Sequence, residues 1–138
     1  MTGEKDLNRL LATLTPQLQE GSYVFCVAPA TLDINTVDLI GFFQESKGRT
    51  LILKQEEADR LGLAYTFVAA WLTLTVHSAL DAVGLTAAFA TALAKEGISC
   101  NTIAGFYHDH LFVAQADGAK ALAVLEALSE TAKMSNNC

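Results

Sequence analysis

Charged residues are scarce in this sequence, and basic residues are the scarcer kind. Lys and Arg number 9 against 15 Asp and Glu, the net charge is -6, and charged residues make up only 17% of the 138 residues. The basic residues are scattered singly and form no stripe or cluster of the kind that attracts nucleic acid or an anionic membrane surface. We therefore expect neither nucleic acid nor a membrane as a partner.

Cysteine is also scarce, and no secretion signal is visible. The three cysteines are an odd number without CxxC or zinc-ligand spacing. Cys26 and Cys100 lie in apolar, strand-like runs and are expected to be small core residues, whereas Cys138 lies in the terminal tail. The first 14 residues carry charges where a signal peptide needs an apolar core. These features favour a reducing cytoplasm.

A long hydrophobic helix is missing as well. The segment from Leu61 to Leu80 contains no Lys, Arg, Asp or Glu, and its length is close to the roughly 20 residues that span a bilayer. From Trp71 to His77, however, apolar residues alternate with Trp, Thr and His. This period of two indicates a strand rather than a membrane helix.

Hydrophobic residues nevertheless make up 51% of the chain, which indicates a folded protein whose halves share a core. In the first half, capping residues and spacing predict three helices and two strands. The helices are expected at Asp6–Leu14, at a segment capped by Asp33 or Asn35 and ended by Gly48, and at Gln55–Leu61; the strands are expected at Tyr23–Ala28 and Thr50–Leu53.

The second half is predicted to run strand, helix, strand, strand, helix, after an extended segment Tyr65–His77 with a break near Ala69 and Ala70. The first helix of this half should bury Leu85, Ala88, Phe89, Ala92 and Leu93 and end at Gly97. Strands should follow from Ile98 to Ala104 and from Leu111 to Ala114, then a helix capped by Asp117 and carrying Leu122, Leu125 and Leu128. We divide the chain into halves at 1–68 and 69–130, followed by a frayed tail at 131–138.

The second half resembles an ACT domain. The similar segments run from Leu72 to Phe89 and from Leu93 to Ile103, and their marks are an Asp81-x-x-Gly84 turn before the helix and Lys-Glu-Gly-Ile at its end. The whole chain also resembles short bacterial proteins with two ACT-like halves, which are related to the regulatory segments of aspartate kinases and carry the run found here at Gly105–His110.

This resemblance implies an α+β, ferredoxin-like fold with βαββαβ topology, in which two ACT-like halves share strands. It also implies binding of a small metabolite, in the first place an amino acid, and pairing into a homodimer. Two features depart from the family pattern. The proline that usually precedes the turn glycine is Val83 here, and a fourth strand is missing after the last helix. That strand must come from the first half, with Tyr23–Ala28 as the candidate segment, or from a second copy.

The expected ligand site lies between the turn before the second-half helix and the strand that faces it. The first backbone N–H groups of a helix are unpaired and attract an anionic group such as a carboxylate, and a glycine in the turn leaves room for its approach. Asp81 could bind a ligand ammonium group or cap the helix. The predicted ligand-binding residues are His77, Ser78, Asp81, Val83, Gly84, Leu85, Thr86, Asn101, Thr102 and Gly105.

His108-Asp109-His110 is the polar cluster that could hold a metal, because alternate histidines on a strand share a face and His77 could join them. A hydrogen-bonded turn explains the same residues, and we predict neither a metal nor a cofactor. No catalytic residue is predicted, since phosphate-loop and paired-carboxylate motifs are missing and the cysteines lie in apolar strands. An interaction module remains the alternative function, suggested by Trp71 and by the small residues Ala87, Ala90 and Ala94.

Overall fold

The protein folds around one antiparallel sheet with helices packed against it. The computed structural model describes residues 6–76 and 84–136. In chain order the elements are α1 (Leu7–Ala12), β1 (Thr15–Leu18), β2 (Tyr23–Val27), a 3-10 turn (Ile34–Thr36), β3 (Leu39–Glu45), β4 (Gly48–Lys54), α2 (Gln55–Leu61), β5 (Val68–Thr75), α3 (Leu85–Lys95), β6 (Cys100–Ala104), β7 (Asp109–Ala114), a second 3-10 turn (Gln115–Asp117) and α4 (Gly118–Asn136).

Strand β5 joins the two halves of the sheet. The strand order is β3-β4-β2-β5-β7-β6, and β1 also pairs with β5. The start of β5 pairs with β2, at Val24 with Val68, whereas its end pairs with β1, at Thr15 with Thr75. β5 is therefore both the last strand of the first half and the first strand of the second. The predicted ferredoxin-like fold with shared strands and the predicted pairing of the halves within one chain are confirmed.

The strand that completes the second half comes from the first half, as expected, but it is mainly β1. This strand pairs with β5 from Thr15 to Leu18, whereas the predicted strand Tyr23–Ala28 forms β2 and touches only the start of β5. The sequence did not suggest a strand here, because Pro16 was expected only to follow a helix. Proline has no backbone N–H, and it is tolerated at sheet positions where the backbone nitrogen need not donate a hydrogen bond to a neighbouring strand.

The four α-helices of the described residues all pack on one face of the sheet. Leu72 and Leu74 of β5 point to this face, and with Phe89 of α3 and Leu125 of α4 they form the larger core. A smaller cluster lies beneath α2 and includes Val24, Cys26, Leu51, Leu53 and Ala58. The predicted burial of Cys26 is confirmed.

Helix α1 and strand β1 belong to the core of the second half. Leu10, Leu11 and Leu14 are buried against residues of β5, α3 and α4, and Ser129 of α4 donates a hydrogen bond to the carbonyl of Ala12 at 3.4 Å. Residues 7–18 thus cover hydrophobic residues that lie more than 50 positions later in the chain.

The helix predicted between Asp33 and Gly48 is wrong. Asp33 does act as a cap, because its side chain accepts from the Asn35 amide at 3.0 Å, but it caps only a 3-10 turn. From Leu39 onward the chain forms β3, which pairs with β4 across a tight hairpin with Gly48 at φ 151. Pairing with β4 therefore outweighs the helical spacing of Val37, Ile40 and Phe43.

Two smaller expectations are also corrected. β5 has no break near Ala69 and Ala70, because Ala69 pairs with Tyr23 on one side and with Ala114 on the other. The expected frayed tail is helical through Asn136, and Ala132 is buried against the core. None of the helices within the described ranges is long and apolar enough to cross a bilayer.

Candidate ligand-binding site

The structure describes the predicted ligand-binding turn only from Gly84 onward, where α3 begins. Gly84 lies immediately before the helix at φ 91, a backbone conformation that favours glycine. Leu85 points into the core and Thr86 is exposed, and the first amides of the helix have no acceptor within the helix itself. A Cβ on Gly84 would lie 3.4 Å from the Leu7 side chain. His77, Ser78, Asp81 and Val83 lie outside the described residues.

The residues predicted on β6 do not all face α3. Thr102 pairs with Leu111 and lies on the helix-covered face, whereas Asn101 pairs with Phe112 and lies on the opposite face. Gly105 follows β6 at the hairpin and donates its amide to the His108 carbonyl at 2.8 Å. The structure therefore places Thr102 on the same side as α3 and Asn101 on the other side of the sheet.

A pocket on the helix-free face of the sheet was not predicted from the sequence. It has a volume of about 300 Å³ and is lined by Ile40, Gly41, Ile52, Trp71, Ile103, His110 and Phe112. We call it the aromatic pocket. Ile40 and Ile103 come from β3 and β6, which stand at opposite ends of the strand order. The sheet must therefore curl strongly, so that its two ends form walls around a concave floor.

The floor of the aromatic pocket is part of a network of ring contacts. Trp71 stacks on Phe112 with ring centres 6.0 Å apart and meets Tyr23 edge-on at 5.2 Å. Phe25 packs edge-on against Phe112 at 5.3 Å. Such aromatic pairs stabilise a structure beyond their buried area. The floor is consequently a well-packed surface.

Hydrogen bonds fix the tautomer of His110 at one wall of this pocket. The indole Nε1 of Trp71 donates to Nδ1 of His110 at 3.1 Å, and an indole nitrogen can only donate. Nδ1 must therefore be unprotonated, and the neutral ring carries its proton on Nε2. The Thr73 hydroxyl oxygen lies 3.3 Å from the same Nδ1. It accepts a hydrogen bond from the side-chain amide Nε2 of Gln19 at 3.0 Å.

The environment of His110 favours its neutral form. Burial lowers the pKa of the His110 imidazole below its usual range, and His108 lowers it further, against an opposite effect of Asp109. Burial also raises the pKa of the Asp109 carboxyl, although His110 opposes this shift. The lowered pKa of His110 disfavours charge at the wall of the pocket, whereas Asp109 alternates with His110 along β7 and lies on the opposite face.

We expect acidification to destabilise the protein through His110. Because its pKa is lower in the folded than in the unfolded chain, its contribution to stability is fully present above the ordinary pKa of about 6.5 and is lost as the pH falls below it. Asp109 has the opposite effect: because its pKa is raised in the folded chain, its protonation stabilises that chain as the pH falls. This effect lies nearer the ordinary carboxyl pKa of about 4. In urea unfolding, the free energy of unfolding should fall more between pH 7.5 and pH 5.5 in the wild type than in His110→Gln. An NMR titration that puts His110 at or above the ordinary value would contradict this.

Metal binding and nucleophilic catalysis find little support in the described residues. The rings of His108 and His110 are 6.3 Å apart, and Nδ1 of His110 already accepts from Trp71. Within the described ranges no group of three or more His, Cys, Asp and Glu converges. Burial, followed by the charge of Asp59, raises the pKa of the Cys26 thiol, which keeps it in its unreactive protonated form.

Both halves match models of the ACT domain. One match covers residues 2–70 and the other covers residues 67–127. The chain belongs to the ACT domain family, as the sequence resemblance indicated. ACT domains are typically regulatory ligand-binding domains. A comparison with curated proteins gives no significant match.

Solved structures with the same fold include a protein of unknown function and parts of aspartate kinases. VC0802 from Vibrio cholerae, described as a possible transport protein, is 46% identical with a TM-score of 0.83, and the match covers 91% of this chain and 97% of VC0802. The regulatory subunit of aspartate kinase from Thermus thermophilus is 11% identical with a TM-score of 0.54, over 83% of this chain and 95% of that subunit. Aspartate kinase from Clostridium acetobutylicum is 13% identical with a TM-score of 0.60, over 83% of this chain and 34% of the enzyme.

Proposed function

We propose that this protein is a regulatory module that binds a small metabolite, in the first place an amino acid, without converting it chemically. The observation that carries the proposal is that two ACT domain matches together span almost the whole sequence. The fold is also that of a regulatory subunit of aspartate kinase, an enzyme whose own substrate is an amino acid. A cytoplasmic location is part of the proposal.

The proposed amino-acid site surrounds the start of α3. The amides of Leu85 and Thr86 would donate to the ligand carboxylate, helped by the positive end of an 11-residue helix. The ammonium group would be met by Asp81 or by carbonyl groups of β6. The proposed set remains His77, Ser78, Asp81, Val83, Gly84, Leu85, Thr86, Asn101, Thr102 and Gly105. Asn101 lies across the sheet from α3, and we therefore assign it to a second copy that closes the site.

A homodimer would also cover exposed sheet edges. β3 and β6 end the strand order, and the β3 side chains Phe42 and Phe43 are exposed. Unpaired edges with apolar side chains commonly associate. The same feature supports the alternative function, an interaction module without a small ligand. Sedimentation at several concentrations, with and without amino acids, distinguishes an intrinsic dimer from one that a ligand stabilises.

A thermal-shift screen with the twenty amino acids, nucleotides and divalent metals tests the proposal. A ligand that binds only the folded state stabilises it by about 2.7 kcal/mol at a hundred times its Kd. We expect at least one amino acid to raise the melting temperature progressively with the logarithm of its concentration, and to be recovered unchanged. If no amino acid shifts the melting temperature at millimolar concentration, or if the bound one is chemically converted, the proposal is wrong.

A further inference from the structure

We propose that the aromatic pocket is a second small-molecule site, which takes a neutral ligand with a flat apolar body and one hydrogen-bond acceptor. The pocket lies on the helix-free face of the sheet, whereas α3, whose first amides are proposed to bind the amino acid, packs on the other face. The inference therefore goes beyond the proposed function and does not depend on it.

The shape of the pocket favours a small molecule over a protein surface. The floor is partly exposed at Trp71, whereas Phe112 and Ile52 are only 1% and 7% exposed beneath neighbouring side chains. Its rim residues Ile40 and Ile103 are 36% and 40% exposed. A flat protein surface would touch only the rim, whereas a molecule within the volume of about 300 Å³ can reach the exposed part of the Trp71 ring. Small-molecule sites are typically concave and mostly apolar in this way.

The lining determines the charge of the ligand. Ile40, Ile52, Ile103, Trp71 and Phe112 provide an apolar surface, and no Lys, Arg, Asp or Glu is among the lining residues. A zwitterionic amino acid would lose its hydration there without gaining an ion pair, which is costly for each charge. A neutral molecule avoids this cost, and a flat one can stack on the partly exposed Trp71 ring.

His110 provides one directional contact. Its Nδ1 accepts from Trp71, so its Nε2 carries the proton and can donate. Within the described residues, no protein atom accepts from Nε2. Gly105 lies beside this nitrogen, and a Cβ there would come within 3.3 Å of Nε2 and 2.9 Å of the His108 carbonyl. The missing side chain at Gly105 therefore leaves the donor accessible to an acceptor on the ligand.

Three related probes test the predicted ligand chemistry. Acetophenone is neutral and has one acceptor, ethylbenzene lacks the acceptor, and benzoate is charged. Trp71 is the single tryptophan of the chain, so its indole N–H gives one assignable NMR signal at the pocket floor. We expect acetophenone to shift this signal saturably and ethylbenzene to bind about 2- to 12-fold more weakly, as expected for one lost neutral hydrogen bond. Benzoate should bind more weakly than acetophenone.

Gly41→Leu tests the location. Gly41 lines the pocket, its φ is not positive, and a Cβ there meets no atom within 4 Å. A leucine can therefore fill the cavity without backbone strain, and acetophenone affinity should fall at least tenfold. Val27→Leu is the matched control, because Val27 is exposed on the same face and does not line the pocket. It should bind as the wild type does.

His110→Phe is the second variant, which keeps an apolar ring and removes the donor. This variant should bind acetophenone no better than ethylbenzene. Neither Gly41→Leu nor His110→Phe should change the response to an amino acid at the α3 site. The proposal is overturned if no probe shifts the Trp71 signal, if Gly41→Leu binds as the wild type does, or if the signal shifts with protein concentration instead of probe, which would mean that a second copy covers this face.

Discussion

A chain that lacks residues 1–20 is expected not to fold. This deletion removes α1 and β1, and with them the buried side chains of Leu10, Leu11 and Leu14. Loss of a single buried leucine side chain typically costs about 2–5 kcal/mol, and the total stability of a domain this size is about 5–15 kcal/mol. β5 would also lose one of its two neighbouring strands along Leu72–Leu74, and the core residues that Leu10, Leu11 and Leu14 cover would face water.

Circular dichroism and an amide NMR spectrum of the truncated chain measure this effect. The matched control carries residues 1–20 again, fused after α4 through a flexible Gly/Ser linker. Because α1 packs directly on α4, the fused segment can return to its native place and should restore cooperative unfolding. A truncated chain that unfolds cooperatively with wild-type stability would show that the first segment is not part of this core.

The second large effect is expected for Phe89→Ala. Phe89 is fully buried on α3 in the larger core, and truncating a buried phenylalanine to alanine typically costs about 3–5 kcal/mol. Phe106→Ala is the control, since Phe106 is 83% exposed after β6, and an exposed substitution should change stability by less than about 0.5 kcal/mol. Urea unfolding of both variants measures the two changes in the free energy of unfolding. Similar losses in both would contradict the assignment of the core to the helix-covered face.

Local signals in the sequence were sufficient for most of the second half and for α2. Helix α2 spans Gln55–Leu61 as predicted and ends at Gly62, whose φ is 69. On α3, the helical spacing correctly identified Leu85, Phe89 and Leu93 as the buried face. The alternation of residues along β5 correctly predicted a strand where the composition alone could suggest a membrane helix.

The expectations that failed depend on contacts between distant parts of the chain. The segment after Asp33 has capping and spacing typical of a helix, but β3 forms because β4 offers it a long antiparallel partner. β1 is a strand because β5 needs one there, although its own sequence gives no strand pattern. Neither the pairing of β3 with β4 nor that of β1 with β5 can be recognised from a short stretch of neighbouring residues in the sequence.

The aromatic pocket could not be predicted for the same reason. Its walls come from β3 and β6, and they meet only because the sheet curls as a whole. The sequence did draw attention to His110, as a weak metal candidate. Its actual partner is Trp71, which lies 39 residues away along the chain.

Titration calorimetry with the amino acid that the screen returns, on a matched pair of glycine variants, tests the central claim most directly. Gly84 and Gly97 lie before and after α3, and their φ values of 91 and 74 are both positive, so an alanine at either position costs similar backbone strain. Only Gly84 lies at the proposed site. The account predicts that Gly84→Ala weakens amino-acid binding at least tenfold while Gly97→Ala binds as the wild type does. Equal affinity in the two variants would contradict it.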